Sequence, residues 1–182
     1  MGLAPILSAV ANTRGFLCSC CGTHHDGPPF SYGAPAPAYW REDLTSDPNS
    51  LLTDEQCVID GQHFFVRARI VLPLVDAAED FEWGVWVSLS EANITRACQM
   101  WTTPERVNEP PYFGWLSTEL PYEPTTLNLK TNLHMQPVGV RPTVELEPTD
   151  HPLAVEQRTG ITLARVQAIA ERLLHPEPPA AT

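Results

Sequence analysis

The sequence is poor in charge, and in lysine above all. Only 18% of its 182 residues are charged, and Lys130 is the single lysine beside ten arginines. Acidic residues outnumber basic ones by 22 to 11, which gives a formal net charge of -11. Because the chain has no cluster of lysine and arginine to neutralise phosphates, we expect no nucleic-acid partner. An acidic surface favours solubility or a basic protein partner.

Long apolar runs and familiar catalytic motifs are also absent. No segment approaches the roughly 18 apolar residues that a membrane-spanning helix needs, so we expect no membrane partner. The chain contains no phosphate-binding glycine loop, no His-Glu-x-x-His and no Gly-x-Ser-x-Gly pattern. We therefore favour a function that is not enzymatic.

A disulfide framework is missing as well. The five cysteines are an odd number, and three of them crowd together as Cys18, Cys20 and Cys21. This spacing is a poor basis for disulfide pairing in a chain of this size. We therefore expect reduced thiols and a cytoplasmic location.

Two segments of the chain alternate between apolar and other residues. From Phe81 to Leu89 every second residue is large and apolar, and residues 64–72 repeat the pattern. This period of two predicts a pair of strands that share one buried face. The short polar loop between them indicates antiparallel pairing. The opposite face would carry four side chains, which are Arg67, Arg69, Glu82 and Trp86.

Other segments also have strand character. Residues 57–59 fit a short lead-in strand, and residues 125–134 alternate apolar and polar side chains. Residues 141–148 predict a last strand at a sheet edge, because proline stands at positions 142 and 148. Residues 112–116 are aromatic and contain Gly114, which predicts a bulge or a close approach to the backbone.

Helices are predicted after the second main strand and near the C-terminal end. Ser90 is the expected N-cap of the first helix, which places Cys98 on its buried face. Pro152, directly after His151, starts a second helix, and Thr162 caps a third. We therefore predict an α+β fold, with a mostly antiparallel sheet of about five strands and helices packed on one face.

One domain with unstructured ends is expected. Residues 1–14 and the tail at 176–182 should be disordered, and residues 15–175 should form a single domain. Its parts are the knuckle and proline-rich arm at 15–60, the sheet at 61–150 and the C-terminal helices at 151–175.

A Cys-x-x-Cys-Gly motif occupies residues 18–22. Glycine after the second cysteine lets backbone amides turn towards the thiolates, and many structural zinc sites begin in this way. A tetrahedral zinc needs four ligands, and the chain has no second Cys-x-x-Cys. The further candidates are His24 or His25 nearby and Cys57 across the following loop; the alternative is a small packed turn. Our hypothesis is a structural zinc with four ligands, which are Cys18, Cys21, His25 and Cys57.

Five separated motifs occur in one order along the chain. They are Phe16-x-Cys18-x-x-Cys21-Gly22-x-x-His25, Cys57-x-Ile59-Asp60, Trp83-Gly84-Val85-Trp86-Val87-Ser88-Leu89-Ser90, Pro111-Tyr112-Phe113-Gly114-Trp115-Leu116 and Asp150-His151-Pro152-Leu153-Ala154-x-Glu156-Gln157-x-x-Gly160-Ile161. Together they resemble the bacterial family named domain of unknown function 2199. The resemblance implies a single bacterial domain and supplies no catalytic residues. Cys20 is an extra cysteine beside the expected pair.

One functional hypothesis is a cysteine- or metal-dependent enzyme. The candidate nucleophiles are Cys57 and Cys21. Asp150 and His151 would complete a Cys-His-Asp set, and Glu156 could serve as an acid or base. His151 also has a simpler role available, as the residue before a helix-starting proline.

The hypothesis that we favour is a protein-binding module. Tyr112 and Trp115 are candidates for a recognition ledge, and Trp86 is a third candidate, because aromatic residues with polar tips dominate binding hot spots. For residues 112–116 the alternative is a short core strand. A compact acidic domain of this kind suits an adaptor, or an immunity-type inhibitor of a basic toxin.

Overall fold

The computed structural model describes residues 15–25 and 27–175, so the expectations for residues 1–14 and 176–182 lie outside it. Ten strands and three α-helices form within the described residues. The strands are β1 Phe16–Leu17, β2 His24–His25, β3 Ser31–Gly33, β4 Leu51–Leu52, β5 Gln56–Ile59, β6 His63–Pro73, β7 Asp80–Leu89, β8 Tyr112–Leu116, β9 Lys130–His134 and β10 Thr143–Leu146; the helices are α1 Glu91–Met100, α2 Pro152–Thr159 and α3 Leu163–Leu174.

Five of the strands close into a barrel. The order β6, β7, β8, β9, β10 is antiparallel at each step, and β10 then pairs in parallel with β6. The longest ladder joins β6 to β7, from Phe64 opposite Leu89 to Pro73 opposite Asp80. The antiparallel pair predicted from the alternating segments is therefore confirmed. Outside the barrel, β3 adds to β7, while β5 and β4 extend from β6.

The prediction of an α+β sheet with helices packed on one face is wrong, because the fold is mostly β and its central sheet is closed. The difference arises at β10, which we expected at an edge. Thr143 pairs on both sides, with His134 of β9 and Arg69 of β6. Pro142 and Pro148 lie outside β10, so neither removes a backbone N–H from the ladder within it.

The barrel interior is the main core. Alternate residues of β6 and β7 point into it, among them Ala68, Ile70, Trp83 and Val85. The helices α2 and α3 add apolar side chains to the same cluster. Full burial of a large apolar side chain contributes about 1.5–3 kcal/mol, so this core dominates the stability of the fold.

A smaller core lies on the outer side of β5, β6 and β7. Phe65 and Trp86 pack there with Cys57 and with Leu44 from the proline-rich arm. The indole N–H of Trp86 donates a hydrogen bond of 3.1 Å to the carbonyl of Ala34. Trp86 is therefore buried, because the arm covers the face that we expected to be open.

All three helix starts form as predicted. The side chains of Ser90 and Thr162 accept the backbone N–H three residues ahead of them, and His151 Nδ1 accepts the N–H of Leu153. Cys98, however, is exposed. The buried stripe of α1 includes Ala97, and the next residue is rotated by about 100° around the helix. No helix in the described part of the chain is long and apolar enough to cross a membrane.

The N-terminal hairpin lies outside the barrel and packs on α3. We call residues 15–25 the knuckle; it comprises β1, β2 and the Cys-x-x-Cys-Gly turn between them. Phe16 and Cys18 contact Ala170 of α3 in a small apolar cluster. The backbone N–H and the hydroxyl of Ser19 donate to the two carboxylate oxygens of Glu171, at 2.8 and 2.6 Å. The knuckle is therefore attached to the last helix of the chain.

Candidate metal centre

The turn between the two cysteines is closed by backbone hydrogen bonds. The N–H of Gly22 donates to the carbonyl of Cys18 at 3.0 Å, and the N–H of Cys18 donates to the carbonyl of Thr23 at 2.9 Å. Gly22 has φ of 67°, in the left-handed region that glycine adopts without strain. The motif therefore folds into the turn that its sequence predicts.

Four metal-ligating side chains converge beside this turn. The ligand atoms of Cys18, Cys21, His25 and His175 all lie within 4.8 Å of one another. The Sγ of Cys21 is 3.4 Å from Nε2 of His25. At ordinary bond lengths, the ligand atoms of a tetrahedral zinc lie about 3.4–3.8 Å apart. This Cys/His cluster could hold a metal ion after only small side-chain movements.

His175 reaches the cluster from the end of α3. It is the residue directly after that helix, and the centroid of its ring lies 6.0 Å from that of His25. Its Nε2 is buried and has no hydrogen-bond partner among the described residues. A buried ring nitrogen without a partner is unfavourable, and either a metal or a water molecule would satisfy it.

The two thiols differ in their electrostatic surroundings. Hydrogen bonds to the side chains of Thr23 and His25 lower the pKa of Cys21 to about 6. Burial raises the pKa of Cys18 above its ordinary value. Because the thiolate is the form that binds metals, Cys21 is prepared for coordination near neutral pH. Cys20 is exposed and does not belong to the cluster, so the two cysteines of the cluster are Cys18 and Cys21.

The structure gathers three of the four predicted ligands and leaves Cys57 out. Cys57 lies in the smaller core beside Phe65 and Trp86, where burial raises its pKa to about 11. His175 is the fourth member of the cluster. Sequence reasoning missed it because it stands far along the chain; the signal that could have found it is a histidine directly after an amphipathic helix.

The candidate catalytic residues are not assembled into a site within the described chain. Cys57 belongs to the smaller core, whereas His151 caps α2. Nδ1 of His151 accepts from the N–H of Leu153 at 3.1 Å, and Nε2 donates to the carbonyl of Pro124 at 2.9 Å. Both ring nitrogens are therefore occupied by structural hydrogen bonds. Asp150 is exposed beside it.

Glu156 has a structural environment of the same kind. It accepts a hydrogen bond of 2.6 Å from the hydroxyl of Tyr122 and one of 2.7 Å from Nε of Arg165. These contacts join α2 to α3 and to the segment before β9. Glu156 is therefore engaged in packing the helices against the barrel.

Comparison with known families finds that residues 17–161 match the family described as Uncharacterized protein conserved in bacteria (DUF2199). The chain belongs to this family. No curated protein and no solved structure matches it. Membership establishes an uncharacterised bacterial domain and assigns no activity. The matched range includes Cys18, Cys21 and His25, and it ends before His175.

The aromatic segment of this DUF2199 domain forms β8 and places its side chains on alternate faces. Tyr112 is buried, and its hydroxyl donates to Glu109 at 2.8 Å. Trp115 is 40% exposed and contacts Phe113, which is 47% exposed, with ring centroids 5.3 Å apart. Tyr112 and Trp115 are three positions apart, so they lie on opposite faces of a strand. The exposed aromatic pair is Phe113 and Trp115, whereas Tyr112 and Trp86 are buried.

Proposed function

We propose that this protein is a non-enzymatic protein-binding domain in which one structural zinc ion fastens the knuckle to α3. The observation that supports the zinc is the convergence of the four ligand atoms of Cys18, Cys21, His25 and His175 within 4.8 Å. Two thiolates and two imidazoles form a typical structural zinc set, which leaves no coordination position for a substrate. The reduced thiols that it needs agree with the cytoplasmic location expected from the cysteine pattern.

The knuckle has little else to hold it in place. Its apolar contact with α3 consists of a small cluster around Phe16, Cys18 and Ala170. The remaining attachments are polar, such as those of Ser19 to Glu171. A two-stranded hairpin is at best marginally stable by itself in water. A metal with ligands on both the hairpin and the end of α3 would supply the missing free energy of folding.

Metal analysis tests the zinc directly. Protein purified without added zinc should contain about one equivalent, as expected for a tightly bound structural ion. The variants Cys18→Ser and His175→Ala should lose it. Cys20→Ser is the matched control, because Cys20 neighbours the pair but lies outside the cluster. Cys57→Ser should also retain zinc, which distinguishes His175 from Cys57 as the fourth ligand.

Two results would overturn the zinc proposal. One is a zinc content below about a tenth of an equivalent in the unaltered protein, since a structural site binds too tightly to be mostly empty. The other is an unchanged content in a Cys18→Ser, Cys21→Ser double variant.

The binding role is supported by the exposed aromatic pair. Phe113 and Trp115 stand together on the outer wall of the barrel, and such residues often carry most of the free energy of an interface. The formal charge of -11 favours a basic partner. An adaptor, or an immunity-like inhibitor of a basic toxin, would use these two features together.

Affinity capture from the bacterial host tests this role. A genuine partner should be recovered with the unaltered protein and lost with Trp115→Ala and Phe113→Ala. Leu51→Ala is the control, because Leu51 is an exposed apolar residue on β4, outside the pair. Recovery of no protein that depends on the aromatic pair would contradict the proposed surface.

A thiol-dependent enzyme is the second candidate, favoured by Cys21. This exposed thiol is close to His25 and has a pKa of about 6. In metal-free protein, labelling of Cys21 by iodoacetamide should therefore rise as the pH passes through about 6, while Cys57 stays unlabelled. Zinc should protect Cys21 under the structural proposal. Rapid labelling of Cys21 in zinc-loaded protein would favour the enzyme.

A further inference from the structure

A cleft separate from the metal centre lies beside the C-terminal end of α1. Its volume is about 520 Å³, and its lining includes Arg69, Arg106, Arg141, Glu55 and Trp101. None of these residues belongs to the metal cluster. The cleft thus brings together three of the ten arginines in a chain whose formal charge is -11.

Two of the three arginines have carboxylate partners. Nη1 of Arg69 lies 2.6 Å from Glu82, and Arg141 makes a bidentate ion pair with Glu55 at 2.7–3.0 Å. Both side chains remain partly exposed, and both line the cleft. They can therefore approach a ligand without leaving their positions in the fold.

Arg106 is the exception, because it is buried without a counter-charge. Its side chain is 2% exposed, and Nη1 donates to the carbonyl of Trp101 at 2.6 Å. Its guanidinium carbon lies 4.8 Å from the centroid of the Trp101 ring. Nε and Nη2 are buried and have no hydrogen-bond partner in the described chain, and no described carboxylate is ion-paired with Arg106. Burial of an unpaired charge is costly, so this group requires an explanation.

We propose that the cleft binds a small oxyanion, a carboxylate or phosphate group of a low-molecular-weight ligand. Arg106 would supply the positive charge that no described carboxylate neutralises, and Arg69 and Arg141 would donate hydrogen bonds from the sides. A guanidinium group donates charge-assisted hydrogen bonds to carboxylate and phosphate oxygens, and Nη2 of Arg69 and Nη1 of Arg141 are not used in the two ion pairs. Trp101 and Val140 would form an apolar wall for the rest of the ligand. The lining holds three guanidinium groups and one carboxylate, and Glu82, which pairs with Arg69, is not part of it, so the charge of Arg106 is left for the anion.

Glu55 allows the anion site to be tested by a gain in binding. Its carboxylate is ion-paired with the guanidinium group of Arg141, and its negative charge repels any anion that enters the cleft. A Glu55→Gln substitution should therefore strengthen anion binding several-fold. A purely structural role for these arginines, with water satisfying Arg106, predicts no such gain.

The test uses the complete protein as purified, titrated separately with inorganic phosphate and with succinate at constant ionic strength. Backbone amide and indole NMR signals report binding, and we expect a saturable shift at Gly139 and Trp101 with at least one anion. Arg141→Gln should weaken that binding by about tenfold or more, the loss expected for a charge-assisted hydrogen bond. Arg41→Gln is the control, because it removes an equal charge and an ion pair from an exposed site outside the cleft.

The two titrations identify the preferred oxyanion. Arg106→Met should abolish anion binding. If that variant does not fold, the double variant Arg69→Gln, Arg141→Gln replaces it, and it should also lose anion binding. The proposal is overturned if neither anion gives a saturable shift, or if Arg141→Gln binds as tightly as Arg41→Gln. Zinc content is measured independently in the same samples, so failure here is distinguishable from failure of the metal centre.

Discussion

The barrel and the knuckle are stabilised by different means. In the barrel, β6 and β7 alone share ten paired positions, and the interior buries large apolar side chains from every one of its strands. In the knuckle, β1 and β2 share two paired positions, and only Phe16 and Cys18 are buried among residues 15–25. Because hydrophobic stabilisation follows the apolar area buried, the barrel has far more of it than the knuckle.

The helix α3 connects the two regions. Val166 and Ile169 belong to the barrel core, while Ala170 contacts the knuckle cluster and Glu171 binds Ser19. Damage to the barrel should therefore disturb both regions. Damage to the knuckle should leave the barrel folded.

Trp83→Ala should produce the largest effect. Trp83 is buried in the barrel core and contacts Phe81 edge to face. Truncation of a buried tryptophan should lower the free energy of unfolding by about 3–5 kcal/mol. Urea denaturation measures it, with Phe113→Ala as a control because that ring is exposed. A small effect of Trp83→Ala would mean that the barrel does not depend on its apolar core.

Removal of the proposed zinc should have the next largest effect, and it should be local. At a free zinc concentration of one hundred times Kd, binding stabilises the folded knuckle by about 2.7 kcal/mol. Chelation should therefore accelerate amide exchange in residues 15–25 and at the end of α3. The barrel strands should keep their protection. Global unfolding on chelation would show that the two regions are not separable.

Local features of the fold were predictable from sequence, whereas closure of the barrel was not. The β6–β7 pair and the three helix caps follow from patterns within short segments. Gly114 correctly indicated a close approach to the backbone, because a Cβ at this position would lie only 2.5 Å from the carbonyl oxygen of Ser88 in β7. By contrast, pairing of β10 with β6 depends on which distant strands meet, and no alternation pattern encodes that choice. Residues 125–129 alternate apolar and polar side chains as a strand does, but the strand begins only at Lys130. The chain turns before it, with Asn128 at φ of 63°.

The same distinction applies to the candidate site. Cys18, Cys21 and His25 stand within eight residues, so their spacing alone indicated a partial metal site. His175 joins them only because α3 is packed between the knuckle and the barrel. Cys57 was an attractive fourth ligand by proximity in sequence, but the proline-rich arm buries it in another core. Contacts between distant segments require the tertiary structure.

Glu171→Gln should loosen the knuckle to a smaller extent than loss of zinc. Hydrogen bonds from Ser19 and then from Gln167 hold the pKa of Glu171 below its ordinary value of 4.5. Because its folded pKa is lowered, the carboxylate stabilises docking above pH 4.5, and this contribution is lost as the pH falls through the folded pKa. In metal-free protein, the difference in knuckle amide exchange between variant and unaltered chain should disappear at low pH.

Glu123→Gln is the control for that experiment, because Glu123 is exposed and lies outside α3. A difference between Glu171→Gln and the unaltered chain that persists unchanged to low pH would contradict the role of the ionised carboxylate.

Thr162→Ala should have the smallest effect, yet it tests the connection between the two regions. The hydroxyl of Thr162 caps α3 by accepting the N–H of Arg165 at 3.2 Å. Loss of such a cap costs about 1 kcal/mol, and Thr162→Ser should retain most of it. Urea denaturation reports the barrel and amide exchange reports the knuckle. Because α3 carries residues of the barrel core and of the knuckle cluster, both measurements should shift together. A change confined to the barrel would show that the proposed metal ligands, and not the helix, hold the knuckle.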